Sequence, residues 1–310
     1  MFIDNLLTTA QQVLILYIMI FVGYIADKTG IYTEKASKLN TDLLFYIITT
    51  SVIINSFISM DNTRDNLKGL GLAILCGMAL HLIGAIIVAP LFRKGDDKTR
   101  VIYKFAAMYG NCGYMALPLA NAVLGPKGVF FASTSVMCFN LFSFTHGIYI
   151  LGATKNDGVN FKKMLINPGT IGVAIGLPLF LSGIQLPTVI DTPLSAFAGM
   201  NTPLAMLIFG TYLANTDLKT MFKDKHIYLT ALIKLIVLPL IMLGLFKLLD
   251  LPQDLRTAMA ITSSAPSANN TVVFAGKYDL DTGTASKTVG LVSFISIVTM
   301  PIMIALSSII

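Results

Sequence analysis

The stretch Ser263-Ser264-Ala265-Pro266-Ser267-Ala268-Asn269-Asn270 interrupts an otherwise apolar segment that runs from about residue 254 to residue 276. Pro266 lacks a backbone N–H and its ring clashes with the carbonyl four residues earlier, so a helix is predicted to break there. In hydrocarbon, the backbone groups freed by such a break need partners inside the protein or in a water-filled cavity. A polar, broken span of this kind suits a ligand site better than a structural helix.

A similar interruption occurs in the first half of the chain, at Met108-Tyr109-Gly110-Asn111-Cys112-Gly113-Tyr114-Met115-Ala116-Leu117-Pro118-Leu119. Gly, Asn and Pro residues again break an apolar segment. Paired interrupted spans in the two halves of a membrane chain indicate the binding site of a transporter.

The composition is that of a membrane protein. Of the 310 residues, 55% are hydrophobic and 12% are charged, whereas soluble domains carry about 25% charged residues. Cys76, Cys112 and Cys138 lie in apolar segments without paired spacing, so neither a disulfide nor a metal site is expected. The sequence has no catalytic, cofactor-binding or nucleic-acid-binding motif, so we expect no enzyme activity, no cofactor and no nucleic-acid partner.

Ten segments are each close to the roughly 20 residues that a bilayer crossing needs. Their predicted limits are 8–26, 38–59, 68–92, 101–124, 129–152, 167–185, 194–214, 227–249, 254–276 and 285–308. The first is expected to be retained, because no basic region precedes it and no small-residue cleavage site follows it. The predicted fold class is an all-α membrane protein with ten transmembrane helices.

The basic residues predict the orientation of these spans. Five Lys and Arg residues fall on the side that holds both termini and sixteen on the other side, while Lys234 lies within span 8. Because positive residues are retained in the cytoplasm, a multi-pass protein of the cell membrane with both termini extracytoplasmic is predicted.

The basic stretch 152–166 divides the chain into five spans and five spans. An odd number of spans in each half places the halves in opposite orientations, so an internal duplication would be an inverted repeat. An offset of 153 residues aligns Phe131-Ala132-Ser133 with Thr284-Ala285-Ser286, and Asn111-Cys112-Gly113 with Ser264-Ala265-Pro266. We therefore predict two inverted five-helix repeats, in which helices 4 and 9 are broken.

The residues around both breaks resemble the auxin efflux carrier family in its bacterial form, which is related to the plant PIN auxin transporters. The resemblance covers nearly the whole chain, departing at Thr50, where span 2 of the family usually carries a proline. The strongest matches are residues 110–119, 264–268, 274–278 and 281–286, and weaker ones are residues 167–168, 202–204 and 234–239.

The resemblance implies a fold similar to that of the bile-acid/sodium symporters, in which the broken helices 4 and 9 cross. A scaffold and a mobile transport domain would provide elevator-type alternating access for a small organic anion, such as a dicarboxylate or an auxin-like carboxylate. The plant relatives form dimers through the scaffold, so the resemblance also implies a homodimer. The corresponding limits are 1–60 and 167–215 for the scaffold, 61–152 and 216–310 for the transport domain, and 153–166 for a cytoplasmic linker.

Candidate site residues follow from the two breaks and the polar residues of neighbouring spans. Glycines let the backbone open, amides offer donors to an anion, and half-helix N-termini add partial positive charge. The alternative is structural, with capped, kinked helices and close packing at glycines. The predicted substrate-binding residues are Asn111, Gly113, Tyr114, Ser264, Pro266, Ser267, Asn269, Asn270, Asn140, Ser51 and Asn55, with Thr49 and Asn201 as further scaffold candidates. The predicted crossover and hinge residues are Gly110, Gly113, Pro118 and Pro266.

Two residues inside spans are candidates for charge coupling. Lys234 lies in span 8, where an intramembrane charge indicates function, as a counter-charge or a latch between domains, unless it snorkels to the interface. His81 in span 3 titrates near neutral pH when unperturbed, unless it is a hydrogen-bonded packing residue. The sixteen Asp and Glu residues all fall in loops or near span ends, so no deep carboxylate is available to hold a cation.

The predicted partners are therefore a small organic anion, the lipid bilayer, and Na⁺ or H⁺ as a coupling ion. A sodium-coupled symporter of the bile-acid type is the main alternative, with sodium held by hydroxyls, amides and carbonyls. A non-transporting membrane sensor is a further alternative, against which the absence of a soluble domain counts.

Overall fold

The computed structural model describes residues 2–92, 96–151, 168–216 and 218–310 of the chain. Within these ranges all regular structure is helical, and the one β-type pairing is an isolated antiparallel bridge between Gly110 and Ser267. The all-α prediction is thus confirmed. The predicted linker 153–166 lies outside the described residues.

The helices follow the predicted spans closely. They are α1 Phe2–Lys28, α2 Glu34–Ile58, α3 Arg64–Val88, α4 Asp97–Met108, α5 Cys112–Ile150, α6 Pro168–Ser182, α7 Thr188–Ala214, α8 Leu218–Met221, α9 Lys225–Leu248, α10 Gln253–Ser264, α11 Asn270–Lys277 and α12 Thr282–Ser307. The largest differences are at the starts of α1 and α7, which begin at residues 2 and 188 rather than 8 and 194. Helix α7 continues through Pro193.

Seven of the described helices, α1, α2, α3, α5, α7, α9 and α12, are long and apolar enough to cross a membrane. The 39 residues of α5 would span about 58 Å if straight, roughly twice the hydrocarbon thickness. The backbone instead bends at Gly125, whose φ of 62° and ψ of −152° are not helical. If the chain crosses the membrane ten times, as predicted, α5 would contribute to two crossings that are divided at this glycine. The number of crossings stays a prediction.

Glycines bring α1 against α7. A methyl group on Gly210 would lie 2.1 Å from the Ile20 carbonyl oxygen, and one on Gly23 would lie 2.5 Å from that of Leu207. In a membrane, such small residues let two helix backbones approach until van der Waals packing holds them together. The α1–α7 pair is therefore fixed by backbone contact.

The neighbouring α2–α6 pair is built in the same way. Cβ atoms on Gly172 and Gly176 would lie 2.8 Å from Ile53 and 2.9 Å from Phe57. These glycines are four residues apart, so they share one face of α6. Two pairs of helices are thus each joined along a glycine face.

The remaining long helices pack around α5 and α10. The Ser135 hydroxyl donates to Thr262 Oγ1 at 3.1 Å, and Lys127 pairs with Asp254 at 2.6 Å. Contacts with the glycine-joined pairs are mainly apolar, such as the Phe57 and Phe130 rings at 4.7 Å. One polar exception is Tyr17 of α1, which donates to the Ser293 carbonyl of α12 at 2.7 Å.

Gly210→Ala is expected to lower the free energy of unfolding by about 1–3 kcal/mol, because the added methyl overpacks the α1–α7 contact. Gly244→Ala is the matched control, since no atom lies within 4 Å of its Cβ position, and alanine there should stabilise α9 by about 0.5–1 kcal/mol. Heating purified protein in detergent and measuring the fraction that stays monodisperse compares the two. Equal melting temperatures would contradict close backbone packing at Gly210.

Candidate functional site

Four helix ends meet at the centre of the candidate site. Helix α4 ends at Met108 before α5 begins at Cys112, and α10 ends at Ser264 before α11 begins at Asn270. The two connecting segments run antiparallel. Asn111 N donates to the Pro266 carbonyl at 2.7 Å, and Ala268 N donates to the Tyr109 carbonyl at 2.9 Å. Backbone groups that lose their helical partners therefore satisfy one another, as a low-dielectric interior requires.

A side chain from the segment between α10 and α11 and one from α9 cap the two helix C-termini at this junction. The Ser267 hydroxyl donates to the Ala106 carbonyl of α4 at 2.7 Å, and the Lys234 ammonium donates to the Ser263 carbonyl of α10 at 3.1 Å. Both side chains are fully buried. The last carbonyls of a helix have no partner within it, so these contacts satisfy groups that would otherwise be costly to bury.

Asn111 caps the N-terminus of α5 and leaves one group unused. Its Oδ1 accepts a hydrogen bond from Tyr114 N at 3.1 Å. Its Nδ2 has no partner among the described residues, and Asn111 is only 3% exposed, so water does not replace that partner freely. A buried amide donor without a partner normally costs about 1–3 kcal/mol, which makes this group a candidate ligand contact.

A small cavity borders the junction. It is lined by Phe45, Thr49, Gly110, Asn111, Cys112, Gly113, Tyr114, Val136, Phe139, Asn140, Ala268 and Asn270. Its volume is about 30 Å³, whereas ligand pockets are roughly 300–1,000 Å³. In this conformation the cavity is therefore much smaller than ligand pockets normally are.

Many of the predicted residues come together here. Asn111, Gly113, Tyr114, Asn140 and Asn270 all border the cavity, together with the predicted hinge residue Gly110. They come from α5, the start of α11 and the segment between α4 and α5, which are distant in sequence.

Other predicted residues lie at the junction without lining the cavity. Ser264 donates to the Ala260 carbonyl of its own helix at 2.6 Å, while Ser267 and Pro266 hold the crossing through the bonds described above. Asn269 directly precedes α11, and its buried Oδ1 has no partner among the described residues. Pro118 lies two residues after the π-helical segment Cys112–Ala116, whose wider turn accommodates its missing N–H.

The α2 candidates divide in the structure. Thr49 borders the cavity and donates to Asn201 Oδ1 at 3.4 Å. Ser51 is buried but does not border the cavity, and Asn55 accepts a hydrogen bond from Ser195 of α7 at 3.1 Å. Sequence reasoning missed Phe45, Val136 and Phe139, because an apolar residue in an apolar span gives no signal that it lines a site.

His81 is a packed residue. Its Nδ1 lies 2.7 Å from the Gly77 carbonyl oxygen one turn earlier, and its ring stacks on Phe142 with centroids 5.1 Å apart. Neither contact is to the cavity. Across the described residues, no group of three or more His, Cys, Asp or Glu side chains is arranged to hold a metal.

Gly110→Ala is expected to destabilise the protein by about 1–3 kcal/mol through overpacking. Its Cβ would lie 2.9 Å from Lys234 Nζ and 3.3 Å from the Ala265 carbonyl oxygen. Gly113→Ala makes the same chemical change three residues away, where no atom lies within 4 Å. Melting curves of the two variants should therefore separate, and a Gly110→Ala protein as stable as Gly113→Ala would argue against the close crossing.

Comparison with known proteins identifies the family of this chain. The model of a family described as "Membrane transport protein" matches residues 8–161 and 153–304. An uncharacterized transporter of Methanocaldococcus jannaschii is 25% identical over 278 residues, which cover 87% of this chain and 89% of the relative. An uncharacterized transporter of Methanothermobacter thermautotrophicus is 25% identical over 307 residues, covering 95% and 97%. Because the family model matches nearly the whole chain, the chain belongs to the membrane transport protein family of auxin efflux carriers.

Proposed function

We propose that this protein is a secondary transporter of a small organic anion, such as a dicarboxylate or an auxin-like carboxylate, across the cell membrane. Membership of a membrane transport family supports the general function. The observation that supports an anion site most strongly is the buried Asn111 Nδ2, which has no partner among the described residues and belongs to a residue lining the cavity.

The helix termini around the cavity favour negative charge. Helix α5 begins at Cys112 and α11 at Asn270, and both residues border the cavity. Each helix N-terminus carries about half a positive charge. Two such termini and an amide donor form a neutral-polar site that a carboxylate would complete.

The proposed architecture has ten spans in two inverted repeats, with broken spans 4 and 9. In the structure, span 4 would be α4 with the part of α5 before Gly125, and span 9 would be α10 with α11. The glycine-joined pairs α1–α7 and α2–α6 would form the scaffold, at 1–60 and 167–215. The helices packed around α5 and α10 would form the transport domain, at 61–152 and 216–310. The packing described above supports this division.

The cavity lies between the two proposed domains. Phe45 and Thr49 of α2 border it on one side, and Tyr114 and Asn140 of α5 on the other. The Phe45 and Tyr114 rings are 6.4 Å apart, so the present volume of about 30 Å³ would grow if α2 and α5 separated. Elevator-type movement of the transport domain would provide this separation and expose the site alternately.

The proposal includes a cell-membrane location with both termini extracytoplasmic, which rests on the distribution of basic residues. Association of two copies through the scaffold rests on the family resemblance alone.

Counterflow in proteoliposomes tests the function without knowledge of the coupling ion. Unlabelled malate, malonate or indole acetate is loaded inside, and uptake of the labelled compound is followed. Asn111→Ala is expected to raise the KM for exchange about 10- to 150-fold, corresponding to the roughly 1.5–3 kcal/mol of a hydrogen bond to a charged group.

Asn55→Ala is the matched control, because it removes an amide from α2 that contacts Ser195 and does not border the cavity. Its KM should stay within about twofold of the wild type, a difference of roughly 0.4 kcal/mol. Exchange with an unchanged KM in folded Asn111→Ala protein would remove Asn111 from the site. Absence of exchange by folded wild-type protein with every carboxylate tried would reject the proposed substrate class.

A further inference from the structure

Lys234 is a buried cation whose position the anion site alone does not explain. Lys234 is 0% exposed, although a lysine ammonium is strongly hydrated in water and sits on a long, flexible stem. It belongs to the π-helical segment Ile233–Val237 of α9, which ends just before Pro239. Single π-turns inside α-helices occur frequently at functional sites, and this one directs the lysine into the crossing rather than toward either membrane surface.

The ammonium group lies between the two interrupted regions. Nζ donates to the Ser263 carbonyl of α10 at 3.1 Å. On the other side, Nζ and Cε would be 2.9 and 3.0 Å from a Cβ on Gly110, so only a glycine lets the chain pass this close. The lysine thus lies where the end of α10 meets the segment that follows α4.

No carboxylate among the described residues forms an ion pair with Lys234. Buried charges in proteins are normally paired or bound to a metal. Here the compensation comes from helix C-termini. Helix α4 ends at Met108 and α10 at Ser264, and each C-terminus carries about half a negative charge. One ammonium would offset both.

The C-terminal ends of half-helices and unwound carbonyls are the groups that hold Na⁺ in transporters with broken helices. In this chain the Ser263 carbonyl at the end of α10 binds an ammonium group instead. We propose that Lys234 is a built-in cation that takes the place of a coupling metal cation, an inference that rests on the proposed anion transport. The anion then binds without Na⁺, because the negative helix ends are already compensated and the positive ends of α5 and α11 face the site.

Two measurements test this assignment, one of which needs no substrate. In the first, thermal stability of detergent-purified protein is compared in NaCl and in N-methyl-D-glucamine chloride at equal ionic strength. A ligand that binds only the folded state raises its melting temperature. The wild type should melt at the same temperature in both salts. Lys234→Ala, which empties the cation position beside the Ser263 carbonyl, should be stabilised by Na⁺.

The second measurement is counterflow in the same two salts. The wild-type KM should differ by less than about twofold between the salts, roughly 0.4 kcal/mol. Lys234→Met keeps the length of the side chain and removes the charge, and it should raise the KM at least about tenfold, or 1.4 kcal/mol. Lys234→Arg keeps the charge and should lie closer to the wild type.

Stabilisation of the wild type by Na⁺, or an equal response of wild type and Lys234→Ala, would overturn the assignment. So would sodium-dependent exchange by the wild type, or a wild-type KM in folded Lys234→Met. If the wild type exchanges no carboxylate, the proposed substrate class fails, while the melting temperatures still decide whether Lys234 occupies a cation position.

Discussion

The backbone pairing between residues 109–111 and 266–268 is the constraint on which the site depends. Two helices that break within a membrane each release N–H and C=O groups that lipid cannot satisfy. The hydrogen bonds from Asn111 N to Pro266 and from Ala268 N to Tyr109 satisfy these groups mutually. The pairing also brings four helix ends together, and two of them, the starts of α5 and α11, border one small cavity.

The partial charges of the helix ends at the crossing are compensated unequally, and this gives the site a positive electrostatic potential. The C-terminus of α4 accepts a hydrogen bond from the Ser267 hydroxyl, and that of α10 accepts one from the Lys234 ammonium. At the N-terminus of α5, Asn111 uses its oxygen as a cap and leaves its amide donor without a partner among the described residues. Positive potential is therefore left uncompensated where the cavity lies, and this is the physical basis of the proposed anion specificity.

The sequence was sufficient for the helical fold and for the interruptions near Asn111 and Pro266, because proline, glycine and polar residues within apolar segments have direct backbone consequences. It was insufficient for the direction of hydroxyl groups. Ser264 bonds back to Ala260, and Ser267 crosses to Ala106, so two residues predicted to bind substrate serve the backbone. The apolar wall formed by Phe45, Val136 and Phe139 depends on helix rotation, which a uniformly apolar span does not encode.

Movement of the crossing helices against the glycine-joined pairs is the central claim of the proposed mechanism, and a cross-link tests it directly. The Tyr212 hydroxyl of α7 donates to the Ser286 carbonyl of α12 at 3.4 Å, so a short bifunctional methanethiosulfonate should bridge the two thiols of a Tyr212→Cys/Ser286→Cys double variant. Cross-linking should abolish carboxylate exchange and reductant should restore it, while the wild type is unaffected by either treatment. Unchanged exchange in fully cross-linked protein would contradict the movement of α12 relative to α7.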